Sequence, residues 1–497
     1  MKRYEELANT IATEIAAGRI KAGTRLPSVR TLTTQYGIGQ TTVFRAYYLL
    51  EERGLIQVRE RSGYYVAQGV VANVQQNPAR DESPAPALVS VSDVIFSVLD
   101  AVRHPGIVPL GSAFPSPMLF PLYRLSRAMS QAGRTLGPWN SVLDMPPGNE
   151  HLRRQIALRY TTMGAPQTLD EILITNGALE ALNLCLLAVT KPGDIVAIES
   201  PCFYAALQAV ERFGLRAVEI PVDPVTGLDL GVLESALRAH PVRAVWAMTN
   251  FQNPTGASLS REKKRALVAL LAKYQCPLIE DDVYGELYFG PERPPPAKAF
   301  DTEGLVMHCT SLSKVLAPGY RLGWVAAGRF ADAVRRQKLM TSISTSGPIQ
   351  AGLAEYLQHG GFEKHLRKLR TTLNHQMETM EEAIQAALPR SIRYHRPAGG
   401  YFLWLRLPAE VDAMQLHASA LTHGINVTPG TIFSRGNLYG NYIRLNCGHP
   451  WTPKMADAIK TLGELLDTLL SRDDHAALPS PSQPLLPVDD ATRPNIS

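Results

Sequence analysis

The sequence lacks any long apolar run. Of its 497 residues, 45% are hydrophobic and 19% are charged, and no stretch approaches the roughly 18 consecutive apolar residues of a membrane-spanning helix. The opening run, MKRYEELANTIATEI, mixes charges with apolar residues at helical spacing, unlike the uncharged core of a signal peptide. The sequence therefore predicts neither a membrane span nor export, and we expect a cytoplasmic protein.

Cysteine is also scarce. The five cysteines are scattered, odd in number and never arranged as a CxxC pair, so neither a disulfide framework nor a zinc site is indicated. We predict that they are core thiols in a reducing compartment and that the chain has no metal centre. They are Cys185, Cys202, Cys276, Cys309 and Cys447.

The formal net charge of +5 is concentrated near the N-terminus. Residues 1–68 hold ten Lys or Arg against six Glu and no Asp, a net charge of +4. Such a basic segment is what a polyanion-binding module requires, although the charge alone is a weak signal.

Periodicity in residues 1–68 predicts three helices and a hairpin. Residues 4–17 carry apolar side chains at a spacing of four, which marks one face of a helix. Ser28 is placed to cap a second helix that Gly37 ends, and residues 40–53 predict a third. Alternating patterns on both sides of residues 60–63 then predict two short antiparallel strands. This order is that of a winged helix-turn-helix.

The rest of the chain predicts three further regions. Residues 69–92 have the proline-rich and polar composition of a flexible linker. In residues 93–472, apolar runs alternate with helical stretches, which predicts an α/β domain around a buried, largely parallel sheet. Residues 473–497 lack a core-forming pattern and predict a disordered tail.

The third predicted helix opens with small hydrogen-bonding residues, as a helix that enters the major groove of DNA requires. The run from Gly18 to Ala67 also resembles the GntR-type winged helix, and Gly63 lies in its wing. A solvated basic face is the alternative for any single arginine. Many members have Arg where this chain has Gln40, so no base preference is transferred. The candidate DNA contacts are Arg25, Arg30, Gln40, Thr41, Thr42, Arg45 and Gly63.

In the large region, chemically distinctive residues follow the apolar strands. Lys314 comes just after the strand GLVMHCT, with Arg321 seven residues later, where it can return to an anion. Acidic residues end the strand CPLIEDD, and burial there is costly unless a cation pairs with them. Arg444 lies inside an apolar strand and requires a carboxylate partner. A surface lysine is the alternative reading of Lys314 alone.

Three other segments follow the same pattern. Gly177 and Ala178 turn a strand into a helix N-terminus, which favours an anion. Phe203 follows another strand and is suited to stacking on a ring, or to filling the core. Asn253 lies in the sequence NPTG, which is either a simple turn or the position of an amide donor.

Together these segments resemble fold-type I aminotransferases over residues 105–470. The resemblance implies that Lys314 carries pyridoxal 5'-phosphate (PLP), that Asp281 pairs with the pyridine nitrogen, and that Arg444 clamps a substrate or effector α-carboxylate. It assigns the ring oxygen to Asn253 and Tyr284, the ring face to Phe203, and the phosphate to Gly177, Ala178, Ser311, Ser313 and Arg321.

Two positions weaken the transfer of roles. The choice of Asp281 over Asp282 rests on the DxxY spacing to Tyr284. Many relatives have a tyrosine before a DPxG-like turn that reaches the phosphate of the neighbouring subunit, whereas this chain has Leu143.

A winged helix-turn-helix joined to a fold-type I aminotransferase-like domain is the architecture of the MocR-type subfamily of GntR regulators. The resemblance implies a homodimeric transcription regulator that binds a double-stranded DNA operator and senses PLP, an amine or an amino acid. Two alternatives remain from the residues themselves. One is an active PLP-dependent aminotransferase with an accessory DNA-binding domain, and the other is a DNA-binding protein without a cofactor.

Overall fold

The chain divides into two compact units, residues 1–81 and residues 82–497. The computed structural model describes residues 3–16, 20, 23–52, 55–59, 63–66, 85–89, 91, 92, 95, 96, 98, 106–137, 145–359 and 361–473. Most of the predicted linker, nearly all of the predicted tail and Leu143 lie outside these residues. The predicted domain boundaries therefore stay predictions.

The first unit contains the predicted three helices and hairpin. Helices α1 (Arg3–Ala16), α2 (Val29–Tyr36) and α3 (Gln40–Glu52) precede strands β1 (Ile56–Arg59) and β2 (Gly63–Val66), which pair antiparallel.

Local chemistry explains the bounds of α2. The hydroxyl of Ser28 accepts a hydrogen bond from the amide of Thr31 at 3.1 Å, and Gly37 ends the helix in the left-handed region at φ +63°. The apolar spacing of α1 places Leu7, Ile11 and Ile15 in a small core.

The second unit begins with β3 (Ala87–Leu88). Its helices are α4 (Leu122–Thr135), α5 (Glu150–Thr162), α6 (Ala178–Val189), α7 (Tyr204–Arg212), α8 (Leu230–Ala239), α9 (Arg261–Lys273), α10 (Ala331–Thr341), α11 (Gly347–His359), α12 (Phe362–Ala387), α13 (Ala413–Thr422) and α14 (Pro453–Asp473). Its other strands are β4 (Ile172–Thr175), β5 (Ile195–Ser200), β6 (Arg216–Asp223), β7 (Gly227–Leu228), β8 (Val242–Ala247), β9 (Leu278–Asp281), β10 (Val306–Ser311), β11 (Gly323–Ala326), β12 (Arg393–Tyr394), β13 (Phe402–Arg406), β14 (Thr428–Pro429) and β15 (Tyr442–Asn446).

A mixed sheet lies at the centre of this unit. Among the described residues it has nine strands in the order β3-β6-β5-β8-β9-β10-β11-β4, with β7 paired to β6. Neighbours from β6 to β10 run parallel, whereas β11 is antiparallel to both β10 and β4. The predicted largely parallel sheet is confirmed, and the reversed strand β11 is a feature that the sequence pattern did not reveal.

A second, smaller sheet follows in the chain. Strands β12, β13, β15 and β14 pair antiparallel in that order, and a separate apolar cluster joins them to α12, α13 and α14. All five cysteines are buried free thiols, as predicted. No helix of the described residues is long and apolar enough to cross a membrane.

Candidate functional site

The topology brings the predicted cofactor residues to one edge of the large sheet. Strands β4, β5, β8, β9 and β10 all point the same way, so their carboxyl ends meet there. One candidate residue or segment lies at or just after the end of each strand. In strand order along the chain these are Gly177, Phe203, Asn253, Asp281 and residues 311–314.

Gly177 and Arg321 meet at the start of helix α6. Gly177 has φ +87°, a conformation that other residues rarely adopt, and a Cβ atom on it would lie 2.8 Å from Nη2 of Arg321, so the guanidinium packs directly against the glycine. Ala178 is the first residue of α6, whose free N-terminal amides favour an anion. Ser311 and Ser313 are both buried beside this edge, and the amide of Ser313 lies 3.4 Å from the hydroxyl of Ser311. Glycine, helix N-terminus and guanidinium together fit a phosphate group.

The geometry distinguishes the two neighbouring aspartates. Asp281 is 1% exposed, and among the described residues its Oδ1 atom has no hydrogen-bond partner. Burial, with Asp282 adding like charge, raises the pKa of Asp281 to about 7. A buried carboxyl with a vacant acceptor is a suitable partner for a protonated ring nitrogen.

Asp282, by contrast, is already fully engaged. It accepts hydrogen bonds from Arg293 at 2.6 Å, from Asn250 at 2.9 Å and from His308 at 3.0 Å. Burial opposes its ionisation, but the charge of Arg293 and the bond from His308 outweigh that effect and lower its pKa. These contacts favour Asp281 as the candidate pyridine partner.

Two ring groups, those of Trp324 and Tyr160, orient the histidine that binds Asp282. Trp324 Nε1 donates to the Tyr160 hydroxyl at 3.2 Å, and that hydroxyl lies 2.7 Å from His308 Nδ1. The hydroxyl proton is then available to His308 Nδ1, which leaves Nε2–H to donate to Asp282.

Lys314 lies close to aromatic rings and to the main chain. Its Nζ atom donates to the carbonyl of Ala113 at 2.9 Å and is 3.8 Å from the ring centroid of Phe114. Burial lowers its pKa to about 7, aided by the charges of Arg444 and Arg321 and opposed by Asp281. The lowered pKa favours the free amine, which is the nucleophilic form.

Arg444 is a buried cation without an anionic partner among the described residues. It is 1% exposed, Nη1 donates to Asn253 Oδ1 at 3.0 Å, and Nη2 donates to the carbonyl of Gly111 at 2.8 Å. Its Nε atom has no partner within the same residues. Burial lowers its pKa, and the ring centroid of Phe402 lies 4.2 Å from the guanidinium carbon. A ligand carboxylate would restore the pairing that a buried guanidinium requires.

Aromatic side chains form one side of the site. The Tyr284 ring makes edge contacts with Tyr401 at 5.5 Å and with Phe402 at 5.7 Å between centroids. Phe203 is partly buried at the start of α7, with its ring 4.7 Å from that of Tyr204. Its role as a stacking ring stays a prediction.

Sequence reasoning missed the segment Gly111–Phe114 and Tyr401. The Tyr401 hydroxyl donates to the carbonyl of Ala113 at 3.1 Å, the same oxygen that accepts from Lys314. No side-chain motif marks this segment, because its contribution is made by main-chain carbonyls.

The candidate DNA contacts of the first unit lie mainly at its surface. Arg25, Arg30, Gln40, Thr41 and Arg45 are exposed. Thr42 is partly buried, and Gly63 begins strand β2. Two exposed aromatic residues of α3, Phe44 and Tyr48, were not singled out from the sequence.

The architecture defines a chain with a helix-turn-helix unit and a unit of the fold-type I aminotransferase class. Residues 3–66 match the family of bacterial regulatory proteins, gntR family, and residues 125–462 match aminotransferase class I and II. The chain belongs to both families, and the predicted MocR-type architecture is confirmed.

Relatives and solved structures agree with this assignment. The chain is 46% identical to the uncharacterized HTH-type transcriptional regulator YdcR of Escherichia coli strain K12, over 95% of this chain and 100% of the relative. It is similar to the multiple substrate aminotransferase of Thermococcus profundus, with a TM-score of 0.72, 26% identity and coverage of 78% and 97%.

A further solved structure contains a cofactor derivative. LysN, the alpha-aminoadipate aminotransferase of Thermus thermophilus, was crystallised with N-(5'-phosphopyridoxyl)-L-leucine. It matches with a TM-score of 0.68 and 28% identity, over 77% of this chain and 100% of LysN. The aminotransferase family thus implies PLP dependence. Two features fit PLP: the Oδ1 atom of Asp281, which has no hydrogen-bond partner among the described residues, and the close approach of Arg321 to Gly177.

Proposed function

We propose that this chain is a cytoplasmic, homodimeric transcription regulator that binds a DNA operator through α3 and its flanking basic residues. Its aminotransferase-like unit holds PLP on Lys314 and senses PLP, an amine or an amino acid. Membership of the GntR family supports the DNA-binding part of this proposal. The buried polar site at the edge of the large sheet supports the sensing part.

The observation that carries the cofactor proposal is the placement of Lys314 and Asp281 beside each other at one edge of the sheet. A lysine whose pKa is about 7 and a buried carboxyl with a vacant acceptor lie at the ends of neighbouring strands. When bound, PLP supplies an electron sink whose pyridine nitrogen is kept protonated by a carboxylate. In this chain, the carboxylate of Asp281 would keep the ring nitrogen protonated by accepting a hydrogen bond from it. The phosphate would be bound by Gly177, Ala178, Ser311, Ser313 and Arg321.

Asn253 and Arg444 support an effector that carries a carboxylate. The Oδ1 atom of Asn253 already accepts from Arg444, which leaves its amide nitrogen as a donor for the ring oxygen, together with Tyr284. The Nε atom of Arg444 has no hydrogen-bond partner among the described residues, and the guanidinium is suited to the carboxylate of the ligand. An amino acid would supply both the amine that takes the place of Lys314 and the carboxylate that pairs with Arg444.

Absorbance spectroscopy of the full chain with added PLP tests the cofactor proposal. We expect an absorbance band at about 420 nm, which is typical of PLP bonded to a lysine. The substitution Lys314→Ala should abolish this band. Lys273→Ala is the matched control, since this exposed lysine pairs with Glu234 away from the site. A band that persists in Lys314→Ala, or that is absent from the wild-type chain, contradicts the proposal.

One observation also favours residual transamination. A lysine with a pKa of about 7 is able to accept and return a proton near neutral pH, which a proton shift on a bound substrate requires. Single-turnover formation of pyridoxamine phosphate across an amino-acid panel measures this activity. Rapid half-reactions with steady turnover support the enzyme, whereas their absence leaves the sensor function alone.

A further inference from the structure

The segment Gly111–Phe114, here named the strap, lies beside Lys314 and Arg444 in the candidate effector site. Each of its four carbonyl oxygens accepts at least one side-chain hydrogen bond. The donors are Thr428 (2.7 Å) and Arg444 (2.8 Å) to Gly111, Asn446 (2.8 Å) to Ser112, Lys314 (2.9 Å) and Tyr401 (3.1 Å) to Ala113, and Asn446 (2.8 Å) and Ser112 (3.1 Å) to Phe114.

The strap is also closely packed at its first residue. A Cβ atom on Gly111 would lie 2.7 Å from Asn426 Nδ2 and 2.8 Å from Thr428 Oγ1. The side chains of Asn426 and Thr428 therefore pack directly against the backbone at Gly111. At Ala113, by contrast, the position depends on two hydrogen bonds from Lys314 and Tyr401.

One of those two bonds depends on the covalent state of Lys314. A primary amine that condenses with an aldehyde forms a C=N bond, releases one water molecule and loses both of its N–H bonds. Even when the product is protonated, its nitrogen has a single N–H. A free lysine can therefore donate to Ala113, whereas a lysine bonded to a carbonyl cofactor has at most one proton to share between that oxygen and the cofactor.

We propose that the hydrogen bonding of the strap depends on whether Lys314 is free or bonded to the cofactor. The Ala113 carbonyl accepts from Nζ of the free lysine, loses this donor when Nζ is bonded to the cofactor, and regains it when a ligand amine takes the place of the lysine. This inference rests on the proposed function, and it adds an element of this chain that responds to cofactor loading and ligand exchange.

The strap lies near the beginning of the second unit. Gly111 follows Val66, the last described residue of the winged helix, by 45 residues. The strap is therefore the part of the candidate site that lies closest in sequence to the DNA-binding unit. Through Gly111 it also touches Arg444, so a ligand carboxylate would act on the same segment.

Hydrogen exchange measured by mass spectrometry on the full chain tests the proposal. Peptides that cover residues 109–118 are followed in the protein without PLP, with PLP, and with PLP plus hydroxylamine, a small amine that removes carbonyl groups from lysine. Loss of one hydrogen bond predicts about fivefold faster exchange of the strap amides with PLP bound. Hydroxylamine is expected to restore the slower rate.

Two variants separate the strap from general effects. Lys314→Met should exchange fast in all three conditions, because its side chain cannot donate. Lys454→Met removes another lysine-to-carbonyl hydrogen bond, to Gly106 of the same N-terminal stretch, and should keep the full response to PLP and hydroxylamine. The strap proposal is overturned if PLP leaves the exchange of the strap amides unchanged or slows it in a wild-type chain that shows the band at about 420 nm. Absence of the band instead marks failure of the proposed function itself.

Discussion

The two candidate functional regions present their polar side chains in opposite ways. In the first unit, most of the candidate DNA contacts are exposed, and they lie on α2, on α3 and in the segments beside these helices. At the edge of the large sheet, Asp281, Asn253 and Arg444 are each 1% exposed and come from three distant segments. An exposed contact contributes little to folding, whereas a buried charge affects stability, ionisation and ligand binding together.

The two neighbouring aspartates should give the largest effects, and they should differ. Asp281→Asn is expected to weaken PLP binding by more than about 100-fold, because a buried ion pair loses one partner at a cost of about 3 kcal/mol. Asp282→Asn should instead lower the free energy of unfolding by about 3 kcal/mol, because Arg293 loses its nearer carboxylate partner, at 2.6 Å, with Glu286 left at 3.4 Å.

PLP titration by absorbance and denaturant unfolding measure these two quantities in both variants. Each variant serves as the control for the other, since the residues are adjacent and both are buried. A larger loss of PLP affinity in Asp282→Asn than in Asp281→Asn would show that Asp282, and not Asp281, pairs with the pyridine nitrogen.

Arg444 should set the affinity for carboxylate ligands. Arg444→Met is expected to weaken an amino acid by about 30-fold, or about 2 kcal/mol, while the amine that lacks the carboxyl group changes little. Spectral titration of the PLP-loaded protein with both compounds provides the measurement. Arg406→Met is the control, since this arginine ends β13 and faces the ring of Tyr442 at 6.0 Å. Equal losses for both compounds would show that Arg444 does not clamp the carboxylate.

The capture of PLP should depend on pH through Lys314. Burial lowers the pKa of this lysine to about 7, so the fraction of free amine grows with rising pH up to that value. We expect the rate of PLP capture to fall about tenfold for each pH unit below it and to level off above it.

Stopped-flow absorbance from about pH 5.5 to about pH 8 measures the rate. A small lysine derivative, whose amine keeps the ordinary pKa of about 10.4, should show no plateau in this range. A rate for the protein that rises without levelling off would place the pKa of Lys314 near the ordinary value.

The smallest effect is expected at the exposed surface. Arg45→Ala should weaken operator binding by roughly fivefold and reduce the slope of log affinity against log salt by about one, as expected for one phosphate contact. Its PLP absorbance should equal that of the wild-type chain. Arg238→Ala, on an exposed position of α8, is the control and should leave operator binding unchanged. A salt slope that Arg45→Ala does not alter would remove Arg45 from the DNA contacts.

Much of the winged helix and of the sheet edge could be predicted from the sequence. Apolar spacing placed the helices, Ser28 and Gly37 placed the ends of α2, and the apolar runs placed Asp281 at the end of its strand and Lys314 just after its strand. These features are local, so a single stretch of sequence contains the signal.

Other features depend on contacts between distant segments. The contacts that occupy Asp282 come from Asn250, Arg293 and His308, and no spacing in the sequence relates them. The strap acts through main-chain carbonyls, which every residue has, so its residue types give no sign of it. The short strand β11 follows a turn directly, and its reversed direction depends on the pairing with β4.

Operator affinity in three states of Lys314 tests the central claim most directly. A DNA sequence selected by the full-length protein from a random pool serves as the operator, and its affinity is measured without PLP, with PLP, and with PLP plus a panel of amino acids and amines. If the chain is a sensor, at least one transition should change the affinity by about fivefold or more, which corresponds to about 1 kcal/mol of coupling. Lys314→Ala should then show no response. Equal affinities in all states of a wild-type chain that demonstrably binds PLP would contradict the account.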